Sequence, residues 1–458
     1  MEAIGTGLIF GYLSLSLLVG VLAGRKQTPE GFLLGERKVG GFSTFATLAA
    51  SKTGGGFFLT IVAVTYLYGA GVLGYVLGLV VGFIAFYFFS KKRLKDQSDK
   101  YQFYTLADYV FHSYGKAAGY LAAFLSFSVL CGSIVIQLTA GSKTVFEITG
   151  ISYGYSLLLI SLVVLIYLLA GGFKAVVKTD ILQYLAIIIT VVFIVFAFVN
   201  FSGGVKADYL SVGEAGWLNA LLFIIFGLIT PFFSSELYQR VYATESQKTL
   251  KKSFLLSIII YPLVALAVVF MGLMIRTHLP GIDPETAFIR GLIDLLPSFF
   301  LGIGGVLMFS AIMSSADTYV FTNTSIILQD FLLRNRKISK ERLVFYFRIT
   351  MALLVAIGII VSFLLKSLLI STYFWGSLGC ILSTGIIASW LFKKLSPFAL
   401  SLGFSLGILT FIAVAIISRV ALEPITVGSC LGGTILGLGS GSILHKYTPR
   451  GAGERSPG

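Results

Sequence analysis

Apolar runs of about 20 residues, each long enough to cross a hydrocarbon core about 30 Å thick, follow one another along nearly the whole 458-residue chain. No soluble domain separates them. Inside lipid every backbone N–H and C=O must be satisfied internally, so runs of this length are helices. Apolar residues make up 57% of the chain and charged residues 12%, with a mean hydropathy of +0.93. No water-facing surface can be built from that composition. The sequence therefore predicts an all-α polytopic membrane protein. Thirteen spans are drawn, at 4–23, 42–69, 71–90, 117–145, 152–170, 173–199, 215–238, 253–276, 297–330, 344–366, 370–392, 398–418 and 424–445. The first lacks a basic segment before it and is followed by Arg25 and Lys26, the reverse of a secretory signal. It is expected to stay, with the N-terminus outside.

The net charge of +14 does not point to nucleic acid, because Lys and Arg gather in alternate loops as the positive-inside rule requires. Arg25, Lys26, Arg37 and Lys38, the cluster from Lys91 to Lys100, Arg240 to Lys252, Arg334 to Arg342, and Lys393 with Lys394 share one side. The other side carries scattered Lys143, Lys206, Arg276, Arg290, Lys366 and Arg419. This charge sets topology in a cell membrane, and an odd number of spans leaves the Gly- and Pro-containing tail 446–458 cytoplasmic. Segments 105–116 and 284–295 are too polar to span and are read as short interfacial helices. Cys131, Cys380 and Cys430 have unrelated spacings, and His112, His278 and His445 lack a partner at i+3 or i+4, so no disulfide framework, zinc motif or cofactor site is expected.

One span carries hydroxyls and a carboxylate that hydrocarbon does not tolerate without a function. Ala311, Ser314, Ser315 and Thr318 are spaced i, i+3, i+4, i+7 on one helix face, and Asp317 lies beside it. Oxygen ligands on one stripe suit a hard cation; hydroxyls bonding back to their own helix carbonyls are the plainer reading. Two other spans are interrupted by residues that resist helix formation. In the second, Gly54-Gly55-Gly56 follows Ser51-Lys52-Thr53; in the seventh, Pro231 follows Phe226-Gly227. Each is expected to unwind near the midplane, where broken backbone persists only around a cavity or ligand, although a triple glycine also suits close helix packing. Paired interruptions at the starts of two five-span halves, 42–199 and 200–392, point to an inverted-repeat transporter. Residues 1–24 then form a leading span, and 397–445 two trailing ones.

These residues bring a resemblance with them. Gly171-Gly172-Phe173-Lys174-Ala175-Val176-Val177-Lys178-Thr179-Asp180-Ile181-Leu182-Gln183, the loop Phe32-Leu33-Leu34-Gly35-Glu36-Arg37, Tyr238-Gln239-Arg240-Val241 and Ser314-Ser315-Ala316-Asp317 together resemble the sodium:solute symporter family, with its proline, pantothenate, sialic acid, sugar and choline transporters. Leu168 departs from the small or hydroxylated residue usual there. The resemblance implies a LeuT-like core of two inverted five-helix repeats working by alternating access. It implies a main Na+ site on Ala50, Thr53, Ala311, Ser314 and Ser315. In some relatives a second site follows, here on Asp180, Ser314, Ser315, Asp317 and Thr318. Asp180 read without the resemblance is an ordinary helix-start carboxylate.

Lys52 is the anomaly, because it falls between two of the implied sodium ligands. A lysine in mid-span needs a partner or water, and Asp317 and Asp180 are the partners this reading finds. The favoured expectation is that its ammonium replaces a sodium ion, with coupling passing to H+ as burial lowers the lysine pKa. Two other readings stand beside it: Lys52 anchors a carboxylate of the solute, or it snorkels into an aqueous vestibule.

Candidate solute contacts are Gly54, Gly55, Gly56 and Phe57 at the first break, Ser128, Cys131 and Gln137 in the fourth span, and Thr230, Phe232 and Phe233 at the second break. Tyr373, Phe374 and Trp375 are expected to form an outer gate. The function read is secondary active transport of a small polar organic solute, coupled to Na+ or H+. A solute-gated channel would need a continuous polar pore, and a transport-fold sensor an attached signalling domain. An intramembrane enzyme would need a nucleophile and base pair that the sequence does not offer. The partners implied are the solute and the lipid bilayer, and no oligomeric state follows.

Overall fold

The computed structural model describes residues 3–24, 37–170, 172–201, 203–334, 340–418 and 424–447. Residues 32–36 of the family-like loop, Gly171 of its double glycine and the tail after Tyr447 lie outside them. Within the described residues the elements are helices, apart from one bridge between Val39 and Thr244. In chain order they are α1 (Ala3–Gly24), α2 (Gly41–Ala50), α3 (Gly55–Tyr68), α4 (Leu73–Phe89), α5 (Lys95–Tyr101), α6 (Leu106–Thr149), α7 (Tyr153–Ala170), α8 (Phe173–Val199) and α9 (Trp217–Phe233). There follow α10 (Ser235–Ala243), α11 (Gln247–His278), α12 (Ala287–Asp294), α13 (Ser298–Ile326), α14 (Lys340–Leu365), α15 (Leu368–Leu391), α16 (Pro397–Ile417) and α17 (Pro424–Tyr447).

Nine helical stretches among the described residues are long and apolar enough to cross a membrane by themselves, and α9 with α10, bent by 46°, makes a tenth. The thirteen spans drawn from sequence also take in α1 and α7 and divide Gly55–Phe89 at the 3-10 turn Gly69–Val72. Faces turned to lipid are apolar stripes at helical spacing. On α8, Ile189, Val192, Phe193 and Phe196 are exposed while Ile187, Val191, Ile194 and Phe198 are buried. Buried hydroxyls bond back along their own helices, as Thr65 does to the Ile61 carbonyl at 2.7 Å and Ser142 to the Leu138 carbonyl at 2.6 Å.

Both expected interruptions exist, and both are displaced from the residues that signalled them. The first lies at Ser51–Gly54, so Gly55 and Gly56 begin α3 rather than forming the gap. The second lies at Ser234, three residues after Pro231, which stays inside α9. Proline costs a helix only the N–H bond it lacks and some room beside residue i−4. The chain leaves the helix where Ser234 turns to φ −78°, ψ 82°, and its hydroxyl donates to the Thr230 carbonyl at 2.7 Å. Segment 105–116, expected to be a separate short helix, forms the start of α6, set off from the rest by a kink at Gly115, whose φ of 78° favours glycine. A capping box of Thr105 and Asp108 starts that helix.

Candidate cation and solute site

The two breaks face each other, with α13 alongside, and the first leaves backbone carbonyls that need partners. The Thr53 hydroxyl donates to the Ala49 carbonyl at 3.1 Å and the Ser51 hydroxyl to the Leu48 carbonyl at 3.1 Å. From α13, Ser314 Oγ reaches the Ala50 carbonyl at 3.3 Å and its own Ala311 carbonyl at 3.0 Å; Ser315 Oγ lies 3.5 Å from the Ala50 carbonyl. Ala50, Thr53, Ala311, Ser314 and Ser315 are all buried. Two carbonyls and two hydroxyls thus converge where the family resemblance implies the main Na+, an all-oxygen donor set of the kind hard cations take. Gly54 permits the approach of α13: a Cβ there would lie 2.4 Å from Ser315 Oγ and 2.7 Å from Gln137 Nε2.

Lys52 does not join this group. Its side chain crosses to the second break, where Nζ bonds Ser234 Oγ and pairs with Glu236. The expectation that its partner is Asp317 or Asp180 is therefore corrected. Glu236, in the first turn of α10, carries the same signal as Asp317, an acidic residue inside an apolar segment. Both side chains are nearly enclosed, at 8% and 2% exposure, yet both line a cavity of about 200 Å³ between the two breaks. Two further hydroxyls hold the unwound strand: Tyr319 donates to the Ser51 carbonyl at 2.9 Å and Tyr261 to the Lys52 carbonyl at 3.3 Å.

Of the expected solute contacts, Gly56, Phe57, Gln137, Thr230 and Phe233 line this cavity. Gln137 Oε1 also accepts the Gly56 N–H at 3.1 Å, fixing the first turn of α3. Gly55 instead packs on Ile312, and Phe232 is buried among Phe86, Phe89 and Trp390. Ser128 is not among the lining residues, and Cys131 Sγ accepts from Asn323 Nδ2 of α13 at 3.2 Å. Of the expected gate only Tyr373 reaches the cavity. Phe374 packs edge-on against Phe411 and Trp375 seats over Gly132, so both are helix-packing residues. Tyr75, Ser133, Tyr261 and Tyr319 line the cavity without having been singled out; aromatic and hydroxyl residues are common throughout the spans, and only the fold selects them.

On α3 the lining residues climb from Gly56 to Val64, and on α9 they descend from Phe233 to Leu222. The cavity thus runs from the breaks toward one end of the bundle, the end that carries Tyr68 and Trp217. Beyond the breaks, toward the other end, Tyr238, Gln239, Arg240 and Tyr242 of α10 are fully buried.

Arg240 is a second correction, since its charge was counted with the loop residues that set topology. Its guanidinium lies in the interior, donating from Nη2 to Thr318 Oγ1 at 2.6 Å and from Nε to Thr47 Oγ1 at 3.2 Å. Nη2 is 3.6 Å from Asp180 Oδ2, to which the Thr47 hydroxyl also bonds. A permanent cation therefore stands among Asp180 and Thr318, residues of the second sodium site that the resemblance to some relatives implies. Asp317, buried in the same helix, accepts the Thr318 N–H at 2.5 Å.

Outside the cavity lining, Glu285 joins α6 to the start of α15. It pairs with Lys143 of α6 at 2.5 Å and accepts from Ser367 Oγ at 2.5 Å and from the Leu368 and Leu369 N–H groups at the start of α15. Burial pushes its carboxyl up, but the Lys143 charge and the hydrogen bonds outweigh burial and hold it below the ordinary glutamate range.

The sodium:solute symporter family matches residues 32–396. The sodium/pantothenate symporter of Haemophilus influenzae is 26% identical over 73% of this chain and 74% of its own length. The osmoregulated proline transporter OpuE of Bacillus subtilis is 24% identical over 96% of this chain and 94% of its own. Among solved structures, a substrate-bound, outward-open Na+-coupled sialic acid symporter superposes with a TM-score of 0.81 at 19% identity, covering 97% of this chain and 98% of that one. A nucleobase-cation-symport-1 transporter in a closed conformation superposes with a TM-score of 0.56 at 12% identity, covering 91% of this chain and 95% of that one.

Proposed function

Because the chain belongs to the sodium:solute symporter family and is a membrane carrier of small organic solutes rather than an enzyme, we propose how this molecule divides the work. One Na+ binds at the first break on the carbonyls of Ala50, Thr53 and Ala311 and the hydroxyls of Ser314 and Ser315. The solute binds beside it in the cavity between the breaks. The convergence of the Ala50 and Ala311 carbonyls with the Ser314 and Ser315 hydroxyls carries this reading. A cation there ties α13 to the broken strand, and its loss frees the two to separate. Pairing with Glu236 neutralises Lys52, so the lysine neither fills the sodium position nor repels an ion from it across a low-dielectric gap. Residues 42–199 and 200–392 act as the two repeats that rock around this point. With the N-terminus outside and the C-terminus cytoplasmic, the cavity faces outward.

Purified protein in liposomes, given Na+ and H+ gradients separately, tests this. Uptake is expected to follow the Na+ gradient, and Ser314→Ala and Ser315→Ala to raise the Na+ concentration for half-maximal uptake. Uptake driven by H+ alone, and indifferent to both serines, overturns it.

A further inference from the structure

We propose that Lys52 and Glu236 form a dipolar receptor and that the transported solute is a small zwitterion, an ammonium and a carboxylate on a compact apolar body of the amino-acid type. The proposal rests on the carrier reading above and adds the chemistry of the cargo. Lys52 belongs to the first break and Glu236 follows the second by two residues, and both residues line the cavity although their side chains are nearly enclosed. A buried ion pair is a poor way to stabilise a fold, since desolvation offsets its Coulomb gain. A pair lining a cavity has a second use, because its two ends are offered to a ligand together.

Charge balance selects the class of ligand. A carboxylate alone would draw Lys52 and leave Glu236 buried without its counter-charge; an amine alone would do the reverse. Either leaves one uncompensated charge, the most costly arrangement in an enclosed site. A zwitterion satisfies both ends at once, its carboxylate on Lys52 and its ammonium on Glu236, with Ser234 beside them. The rest of the wall suits an apolar body: Phe57 and Tyr261, with ring centroids 5.4 Å apart, face a cavity shared with Tyr75, Phe226 and Phe233. Inserting the solute replaces one direct link between the two breaks by two links through the cargo. Binding is thereby connected to the segments that move.

The test is ligand-induced thermal stabilisation and equilibrium binding on the purified full-length protein. The probes are the proteinogenic amino acids and glycine betaine, the methyl ester and N-acetyl derivative of each amino acid that binds, and a polyol of matched size. At least one zwitterion is expected to bind, and its two singly charged derivatives more than about a hundredfold more weakly, the order set by one uncompensated buried charge. Glu236→Gln is expected to invert the preference toward the N-acetyl anion, and Lys52→Met toward the ester cation. The neutral pair Lys52→Met with Glu236→Gln, close in shape, keeps the protein folded and removes the discrimination. Esters or anions bound as tightly as the parent, an unchanged preference in the variants, or no zwitterion bound at all overturns the proposal. If zwitterions fail while ²²Na+ still binds and Ser314→Ala weakens that binding, the solute assignment falls alone; loss of both removes the proposed sodium site too.

Discussion

Arg240 Nη2 stands 3.6 Å from Asp180 Oδ2, with both side chains sealed from solvent and Thr47 bonded to each. The pair ties α10 to α2 and α8 on the side of the breaks away from the cavity. Arg240→Met leaves Asp180 buried without a counter-charge and is expected to cost about 3–5 kcal/mol. Adding Asp180→Asn in that background is expected to recover much of the loss. Melting of the four proteins of this cycle in detergent measures the coupling, and additive effects would show that the two charges do not interact. Since the guanidinium already occupies this position, ²²Na+ binding is expected to saturate at one ion per chain. Two ions would sink that account.

Gly54 lies where α13 and α6 both press on the broken strand. A methyl group there meets Ser315 Oγ at 2.4 Å and Gln137 Nε2 at 2.7 Å, and neither neighbour moves without giving up its part in the proposed sites. Gly54→Ala is expected to weaken Na+ binding by about tenfold or more, as packed sites resist added carbon, while global melting changes little. An unaltered Na+ isotherm would mean that the strand relaxes freely, contrary to the tight contact described.

Glu285 makes the joint between α6 and α15 pH-sensitive. Its folded-state carboxyl is held below the ordinary glutamate range by Lys143 and its hydrogen bonds, against the upward push of burial. The stability it contributes is therefore fully present above the unfolded glutamate value, about 4.3, and is lost as pH falls through the lower folded value. The melting temperature of the wild type is expected to hold from neutral pH to about pH 5 and to drop below about pH 4. Glu285→Gln should be less stable at pH 7 and show less of this acid loss. Parallel curves for the two proteins would remove Glu285 as the cause.

The sequence was most legible where physics is local. Span positions follow from apolar length, and the stripe from Ala311 to Thr318 follows from helical spacing, which also brings Ser314 and Ser315 to the first break. The breaks themselves were visible in composition but not in place. Gly54 to Gly56 and Pro231 mark where a helix is weak, whereas Ser51–Gly54 and Ser234 are where hydroxyls can satisfy the carbonyls released. Long-range charge pairing was the least legible part. Lys52 is separated from Glu236 by 184 positions; the paired interruptions imply that the two breaks meet, but nothing in either segment states which side chains pair across them. Arg240 was hidden by resembling its neighbours Lys248, Lys251 and Lys252; only the fold of α10 back into the bundle separates it from them.

Tyr319 and Tyr261 brace the unwound strand from α13 and α11, through the carbonyls of Ser51 and Lys52. Without them those carbonyls would turn toward other donors, and the neighbouring Ala50 carbonyl would lose its setting against Ser314 and Ser315. Each hydrogen bond is worth about 0.5–1.5 kcal/mol, so Tyr319→Phe is expected to weaken Na+ binding by about two- to tenfold. The same loss should appear in the Na+ concentration for half-maximal uptake, with the maximal rate largely kept, because the phenyl ring preserves the cavity wall. Tyr261→Phe, whose bond is longer at 3.3 Å, should have the smaller effect. Direct ²²Na+ binding to the two variants ranks them, and equal wild-type affinities would show that the strand keeps its shape without either hydroxyl.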